Sequence, residues 1–245
     1  MGSGPRIATR AWYNDNRRNH RLPGGPGGQT TGKARSKLRG KGPYMLTLYL
    51  AGGCFWGVDK YFAQFRGVLG TEAGYANGPA SVMRNRFSVE ENRPYQEERV
   101  FSEAKPPSYE EVCAGYGFAE TVKVDFDPEV LPVKTLLGYF FEIIDPLAFN
   151  RQGPDVGVQY RTGIYYEESQ EAALLPAIGE VVTAKENELR EQLATEVEPL
   201  RNYYPAEKYH QNYLKKNPFG YCHIPKRHFF RQYAADKAER KEKDD

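Results

Sequence analysis

The segment Leu48-Tyr49-Leu50-Ala51-Gly52-Gly53-Cys54-Phe55-Trp56-Gly57 joins a predicted strand to a predicted helix through a two-glycine turn. Leucines at 46, 48 and 50 alternate with other residues, and this period of two is typical of a strand with a buried face. Apolar residues at 58, 61, 62 and 65 then recur at helical spacing. We therefore predict a strand over 45–50 and a helix over 55–65, with Cys54 at the helix N-terminus.

A cysteine at a helix N-terminus is a candidate nucleophile. Free backbone N–H groups and the helix dipole lower the pKa of a thiol there, and the thiolate is the reactive form. We expect Cys54 to be such a thiolate, although a small buried cysteine that packs under the sheet fits the same position. Phe55 and Trp56 cannot both enter one core from consecutive helical positions. At least one of them is expected to border a cleft beside Cys54, with ordinary packing as the alternative.

Composition limits the class of protein. The 245 residues are 40% hydrophobic, which is enough for one substantial core, and the length allows one or two domains. The sequence contains no apolar run long enough to cross a bilayer and no signal-peptide core, so we expect a cytoplasmic protein without membrane contact. Three cysteines are an odd number, which argues against a disulfide framework and for thiols used in chemistry or in the core.

The charges divide the chain into regions. Residues 1–44 hold ten Lys or Arg and one Asp, with many Gly and Pro and no apolar period. Such a segment buries too little apolar surface to offset its ordering entropy, so we predict a disordered basic arm over 1–44 that is solvated rather than bound to nucleic acid. We predict a catalytic domain over 45–230, with the charged, proline-containing residues 80–107 as an inserted loop. Residues 231–245 are predicted to be a charged tail.

The rest of the chain alternates strands with helices. We predict strands over 68–75, 120–126, 163–166 and 195–198, and helices over 133–144, 170–194 and 206–215. Ser108 and Glu111 have the spacing of a capping box that begins a further helical turn. This order predicts an α+β fold, a two-layer α/β sandwich with a mixed sheet.

Several separated segments resemble one family. Gly53-Cys54-Phe55-Trp56-Gly57 resembles the active-site signature of peptide methionine sulfoxide reductase A. Further segments resemble the family in the same order: Gly-Tyr-Ala-Asn-Gly (74–78), Tyr-Glu-Glu-Val-Cys (109–113), Ala-Glu (119–120), Asn-Arg-Gln-Gly (150–153), Asp-Val-Gly-Val-Gln-Tyr-Arg (155–161), His-Gln (210–211) and Asn-Pro-Phe-Gly-Tyr-Cys (217–222). The resemblance extends from 45 to about 223 and implies the same two-layer sandwich, with a ferredoxin-like core.

The resemblance implies a thiol reaction. Methionine S-sulfoxide in proteins, and free in solution, would be reduced to methionine. Cys54 would attack the sulfoxide sulfur and become a sulfenic acid, and Cys222 would condense with it to a disulfide. Thioredoxin or another dithiol would reduce that disulfide, so neither a metal nor an organic cofactor is expected. Thioredoxin and oxidised methionine-containing proteins are the expected partners of a monomer.

The resemblance also assigns roles around Cys54. Glu120 would give a proton to the departing oxygen, which requires that burial raise its carboxyl pKa towards neutrality. Tyr109 and Tyr160 would donate hydrogen bonds to the sulfoxide oxygen. The resemblance also implies that Asp155 is an orienting polar group and that Phe55 and Trp56 form a wall that binds the methyl group. Separately, we expect Cys113, which follows Val112, to be a structural thiol.

Two other function classes remain open. A cysteine hydrolase or acyltransferase would pair Cys54 with His210 or His223 as a base. A binding module would hold oxidised methionine without turnover, an alternative suggested by the insertion and by Phe118, which stands where the family usually has His. A Cys/His metal site is disfavoured because the cysteines lack paired ligand spacing.

Overall fold

The computed structural model describes residues 44–79, 82–86, 98–102 and 106–230. The predicted disordered arm, apart from Tyr44, and the predicted charged tail lie outside these residues. Within the described ranges, no helix is both long and apolar enough to cross a membrane.

A six-stranded sheet organises the described residues. Its strand order is β10-β2-β5-β1-β8-β9, and neighbouring strands are antiparallel except for the parallel pair β8 and β9. Two short pairs, β3 with β4 and β6 with β7, lie outside this sheet. The strands are β1 (Leu46–Gly52), β2 (Val68–Ala76), β3 (Val82–Arg86), β4 (Glu98–Ser102), β5 (Ala119–Phe126), β6 (Arg151–Gln152), β7 (Asp155–Val156), β8 (Thr162–Tyr166), β9 (Glu196–Pro199) and β10 (Tyr203–Pro205).

Helices connect and cover the strands. They are α1 (Phe55–Phe62), α2 (Tyr109–Cys113), α3 (Val133–Ile143), α4 (Glu171–Leu189) and α5 (Tyr213–Lys216). Short 3-10 turns occupy Val158–Tyr160, Glu168–Gln170 and Lys226–Phe230. A mixed sheet combined with helices confirms the predicted α+β class.

Strand β1 is buried on both faces. Its leucines belong to the main core, which also contains the apolar sides of α1 and α3. Tyr49 and Ala51 point to the opposite face, where they pack with Ala76, Ala119 and Tyr165 under partly buried residues near β10. The alternating pattern in the sequence therefore separates two apolar faces, rather than one apolar face and one wet face.

Gly52 and Gly53, at the end of β1, allow the strand to pack closely against the helices. A Cβ on Gly52 would lie 3.0 Å from Phe140, 3.1 Å from Ile144 and 3.2 Å from Val58, so a residue without a side chain lets α1 and α3 approach the strand. Gly53 has φ 82°, a conformation that L side chains rarely adopt. The turn therefore delivers Cys54 directly to the start of α1.

Two predicted helices differ from the structure. The helix predicted over 170–194 is α4, which ends at Leu189 because Arg190 adopts a left-handed conformation with φ 56°. The helix predicted over 206–215 is wrong, since only Tyr213–Lys216 is helical. Gln211 instead bonds the backbone of Ala73 in β2 with both amide atoms, and Asn212 has φ 52°. Tertiary hydrogen bonds thus override a helical apolar pattern.

Part of the predicted insertion over 80–107 is described. Strands β3 and β4 pair antiparallel within it, with Val82 opposite Ser102 and Arg86 opposite Glu98. Its remaining residues, other than 106 and 107, lie outside the described ranges. The chain then enters α2 through the predicted capping box, in which the Ser108 hydroxyl accepts from the Glu111 N–H and the Glu111 carboxylate accepts from the Ser108 N–H.

Candidate active site

Cys54 is the N-cap residue of α1 and is buried. The Trp56 N–H of the first helical turn hydrogen-bonds its thiol and favours the anion. Phe55 beside it is fully buried, whereas Trp56 is only half-buried. Phe55 therefore belongs to the core, while Trp56 keeps part of its surface exposed; that it borders a cleft stays a prediction.

The expected low pKa of Cys54 is wrong. Burial raises the pKa of this thiol well above its usual range, and the negative charges that Glu120, Asp155 and Cys222 carry when ionised raise it further. The hydrogen bond from the Trp56 N–H opposes these effects but is the smaller contribution. Loss of hydration outweighs the helix terminus because the site is closed to solvent. The resting form is a neutral thiol that must lose its proton during the reaction.

Glu120 lies near the start of β5 with 1% of its surface exposed. Its Oε2 accepts a 3.1 Å hydrogen bond from the N–H of Phe55, the residue directly after Cys54. Burial raises the pKa of this carboxyl from 4.5 to about 8, and the Phe55 N–H only partly offsets the effect. At neutral pH the group is mainly a protonated acid, which can donate a proton beside the thiol.

The hydroxyls of Tyr109 and Tyr160 belong to the same electrostatic environment. The capped start of α2 positions Tyr109, whose N–H donates to Glu207 Oε1 at 3.2 Å. Tyr160 ends the 3-10 turn before β8. Burial and the nearby Glu120 raise the pKa of both phenols further above 10, so both remain hydrogen-bond donors at neutral pH.

Sequence reasoning did not identify how the Trp56 indole is held. Its Nε1–H donates to His210 Nδ1 at 2.9 Å, and its ring stacks on Tyr213 with centroids 3.8 Å apart. His210 is fully buried and also packs against the rings of Phe55 and Tyr109. The matching His-Gln at 210–211 was the only sequence signal for this position. His210 therefore contacts Phe55, Trp56 and Tyr109 at the same time.

Cys222 lies near the C-terminal end of the described residues and packs against α1. Its half-buried Sγ would lie 3.0 Å from a Cβ on Gly57 and is 3.5 Å from the Ile224 carbonyl oxygen, to which it donates. An ionised Cys222 would raise the pKa of Cys54, so the two thiols are close enough to interact. The fold thus brings the two predicted redox thiols to the same end of α1, and both are free.

Asp155 lies in β7 beside this thiol pair. Its Oδ1 accepts a 2.7 Å hydrogen bond from the Tyr221 hydroxyl, and its Oδ2 is 3.9 Å from His223 Nδ1. Its charge raises the pKa values of the Cys54 thiol and the Glu120 carboxyl. Asp155 therefore faces both the nucleophile and the segment that carries Cys222.

Two further residues near the site are Cys113 and Phe118. Cys113, expected to be a structural thiol, is exposed, and its thiol is hydrogen-bonded by the Tyr109 side chain. Phe118, which replaces the family His, is buried, and its ring packs 6.0 Å from that of Tyr204. A Cβ on Gly78 would lie 2.3 Å from the Phe118 ring, so the ring occupies space that this glycine leaves.

The arrangement does not provide a Cys–His pair for a hydrolase. Neither histidine hydrogen-bonds the Cys54 thiol in the described structure: His210 Nδ1 accepts from the Trp56 indole, and the His223 ring lies by Asp155 and the Gly52 backbone. The same part of the chain also lacks a group of three or more His, Cys, Asp or Glu side chains that could hold a metal ion. A thiol next to a neutral carboxylic acid is the chemistry that this site offers.

Comparison with known proteins identifies the family. The sequence model described as "Peptide methionine sulfoxide reductase" matches residues 46–98 and 100–242. The peptide methionine sulfoxide reductase MsrA of Clostridium perfringens (strain SM101 / Type A) is 42% identical over 184 residues, covering 74% of this chain and 98% of the relative. That of Lachnoclostridium phytofermentans is 44% identical over 180 residues, covering 73% and 92%.

Solved structures agree with the sequence relatives. Mxr1 from Saccharomyces cerevisiae in reduced form has a TM-score of 0.57 and 33% identity, covering 73% of this chain and 88% of that one. Methionine sulfoxide reductase A of Corynebacterium diphtheriae also has a TM-score of 0.57, with 31% identity, and covers 77% of this chain and 86% of that one. The chain described here therefore belongs to the peptide methionine sulfoxide reductase family, of the MsrA type.

Proposed function

We propose that this protein is an oxidoreductase that reduces methionine S-sulfoxide in oxidised proteins, and free in solution, to methionine. The observation that carries the proposal is the 3.1 Å hydrogen bond from the Phe55 N–H to Glu120 Oε2, which holds a neutral carboxylic acid directly beside Cys54. Sulfoxide reduction needs a sulfur nucleophile and a proton for the oxygen. Both groups are therefore present where the reaction requires them.

In the first step, the Cys54 sulfur attacks the sulfoxide sulfur. Glu120 gives its proton to the sulfoxide oxygen, and the resulting carboxylate takes the proton of the Cys54 thiol. The high pKa of this thiol makes such coupling necessary, because a free thiolate is scarce before substrate binds. The oxygen then passes to Cys54: the bond between the oxygen and the methionine sulfur breaks, a bond between the oxygen and the Cys54 sulfur forms, and the transient bond between the two sulfurs breaks. Cys54 is left as a sulfenic acid, and methionine leaves with its sulfur reduced by two electrons.

The substrate is held by donors and by an aromatic wall. The Tyr109 and Tyr160 hydroxyls, both protonated at neutral pH, donate to the sulfoxide oxygen as its negative charge grows. Tyr109 exchanges its hydrogen bond with the Cys113 thiol for this one. Phe55 and Trp56 contact the methyl group, with the indole fixed by His210. Asp155 orients the polar side of the site. Fixed donors of this kind stabilise the transition state more than the ground state.

In the second step, Cys222 attacks Cys54, and the hydroxyl of the sulfenic acid leaves as water. A Cys54–Cys222 disulfide forms, and thioredoxin or another dithiol reduces it by exchange. The half-buried Cys222 already lies against α1, so only a local movement of the 217–222 segment is required. We propose a single resolving thiol and no bound cofactor.

We also propose a location, partners and domain limits for this protein. We propose that the enzyme acts as a cytoplasmic monomer on oxidised proteins, with thioredoxin as its reductant and without nucleic acid or membrane contact. The catalytic domain would extend over 45–230, with 80–107 as an insertion. For the fold, the central order β2-β5-β1-β8 is consistent with a ferredoxin-like core.

Turnover of a peptide methionine S-sulfoxide tests the proposal. Wild type, Cys54→Ser and Cys222→Ser would each be assayed with dithiothreitol and with thioredoxin. We expect activity in wild type with both reductants, none in Cys54→Ser, and activity in Cys222→Ser with the small thiol alone. Binding of the peptide by wild type without any turnover would instead support the binding-module alternative.

A further inference from the structure

Cys222 lies between two side chains that both face one carboxylate. On one side the Tyr221 hydroxyl donates to Asp155 Oδ1 at 2.7 Å. On the other side His223 Nδ1 is 3.9 Å from Asp155 Oδ2. Asp155 thus contacts the resolving segment immediately before and after its thiol.

His223 is buried with few polar contacts. Its side chain is 5% exposed and, among the described residues, neither ring nitrogen nor the neighbouring Asp155 Oδ2 has a hydrogen bond of good geometry, although the Gly52 backbone lies close enough to the ring to raise its pKa. Buried polar atoms without well-formed hydrogen bonds destabilise a folded protein and are therefore uncommon. His223 Nδ1 and Asp155 Oδ2, 3.9 Å apart and close to two redox thiols, are placed to hold a proton during turnover.

The imidazole lies close to both reacting residues. A Cβ on Gly53, the residue before Cys54, would be 3.2 Å from His223 Nε2. His223 is also the residue after Cys222, whose thiol donates a hydrogen bond to the Ile224 carbonyl oxygen. The ring therefore occupies the region that Cys222 must enter to reach Cys54.

We propose that His223 is the proton carrier of the resolving step, with Asp155 and Tyr221 as its positioning residues. His223 takes the thiol proton of Cys222 as that sulfur attacks the sulfur of the Cys54 sulfenic acid. The S–S bond forms, the S–O bond breaks, and the departing hydroxide receives the proton from the imidazole to become water. The Cys54 sulfur is reduced and the Cys222 sulfur is oxidised, so no outside oxidant is needed. This proposal rests on the proposed reductase function.

The charges around the ring suit this role. Burial lowers the pKa of His223 below 6.5, and the nearby Asp155 and the Gly52 backbone only partly oppose the effect. The ring is therefore neutral at pH 7 and able to accept a proton. Besides Asp155, the titratable groups adjoining it are Cys54, Cys222 and Tyr221. In the resolving step Cys54 is a sulfenic acid, and the pKa values of Cys222 and Tyr221 are raised, so these two groups are uncharged at neutral pH. Asp155 is the carboxyl group that faces a protonated imidazole.

A single-turnover experiment separates the two chemical steps. Wild type, His223→Gln and the control His228→Gln would be mixed with a peptide methionine S-sulfoxide without reductant. Methionine formation reports the first step, and loss of free thiol by quenched alkylation reports the disulfide. His228 is the matched control because its ring packs against Tyr61 and has no place in the proposed steps.

We expect the ratio of the disulfide rate to the methionine rate to fall by about 100-fold or more in His223→Gln and to stay unchanged in His228→Gln. The wild-type disulfide rate should rise with pH through the His223 pKa, and His223→Gln should lose that rise. Added imidazole should restore much of the rate in His223→Ala.

Three results would overturn the assignment. A wild-type disulfide rate in His223→Gln would exclude the residue from the step. A slow rate that keeps the wild-type pH dependence and is not rescued by imidazole would show that His223 only shapes the segment. If wild type formed no methionine at all, the proposed function itself would fail, and the proton-carrier role with it.

Discussion

Replacement of Glu120 by Gln is expected to stabilise the fold and to abolish most of the activity. The carboxyl is 1% exposed, and its Oε2 accepts the Phe55 N–H at 3.1 Å. An amide oxygen can accept the same hydrogen bond without bearing a charge. The variant therefore keeps the local structure and removes only the ionisable proton.

The size of the stability effect follows from the pKa of Glu120, about 8 in the folded protein against 4.5 ordinarily. Between these values the unfolded chain has released the proton while the folded protein still binds it. The unfolded state then holds fewer protons, so stability falls as pH rises. At 1.36 kcal/mol per pKa unit, Glu120 lowers the free energy of unfolding by about 3 kcal/mol at pH 7 and about 5 kcal/mol above pH 8.

Urea unfolding between about pH 5 and pH 8.5 would measure this effect in wild type, Glu120→Gln and the control Glu129→Gln. Glu129 is an exposed glutamate just beyond β5. We expect the free energy of unfolding of Glu120→Gln to exceed that of wild type by a margin that grows with pH, to about 3 kcal/mol at pH 7. The Glu129→Gln curve should follow wild type. At the same time, kcat/KM for a peptide sulfoxide should fall about 10²–10⁴-fold in Glu120→Gln alone.

Two results would refute this reasoning. If the three pH–stability curves ran parallel, Glu120 would not be a buried acid with a raised pKa. If Glu120→Gln were more stable at neutral pH yet kept full activity, the raised pKa would stand but the proton would come from another group.

Two further predictions concern the resolving segment and the aromatic wall. Gly57→Ala places a methyl group 3.0 Å from Cys222 Sγ, so single-turnover disulfide formation should slow while methionine formation continues. Gly138→Ala in α3 is the control, because the added methyl group has no atom within 4 Å. It should leave the rates of methionine and disulfide formation unchanged and raise the free energy of unfolding by about 0.5–1 kcal/mol. Equal disulfide rates in Gly57→Ala and Gly138→Ala would contradict the close contact between residue 57 and Cys222 Sγ. Trp56→Phe removes the 2.9 Å hydrogen bond to His210 and should cost about 1–3 kcal/mol in urea unfolding and raise KM for the sulfoxide. An unchanged KM would show that the indole does not form the binding wall.

Local sequence patterns predicted the elements that carry the nucleophile. The alternating leucines of β1, the glycine turn and the apolar spacing of α1 each depend on neighbouring residues, and the structure has the strand, the turn and the helix where they were expected. The capping box of α2 was predictable for the same reason. Such signals depend on backbone geometry, which a few adjacent residues determine.

Properties that depend on distant residues were harder to predict. The helix terminus suggested a low pKa for Cys54, but burial and the charges of Glu120 and Asp155 raise it. The 206–215 segment has a helical pattern, yet Gln211 bonds the edge of β2 instead. The position of His223 beside Gly53 depends on a return of the chain that sequence spacing does not reveal.

The central claim is that Cys54 reduces the sulfoxide and Cys222 resolves the product. The most direct test adds excess peptide methionine S-sulfoxide to reduced enzyme without any reductant and identifies the linked peptides by mass spectrometry. We expect one methionine formed per chain, a disulfide between Cys54 and Cys222, and a free thiol at Cys113. Absence of methionine, or a Cys54 that is oxidised while Cys222 remains a thiol, would contradict it.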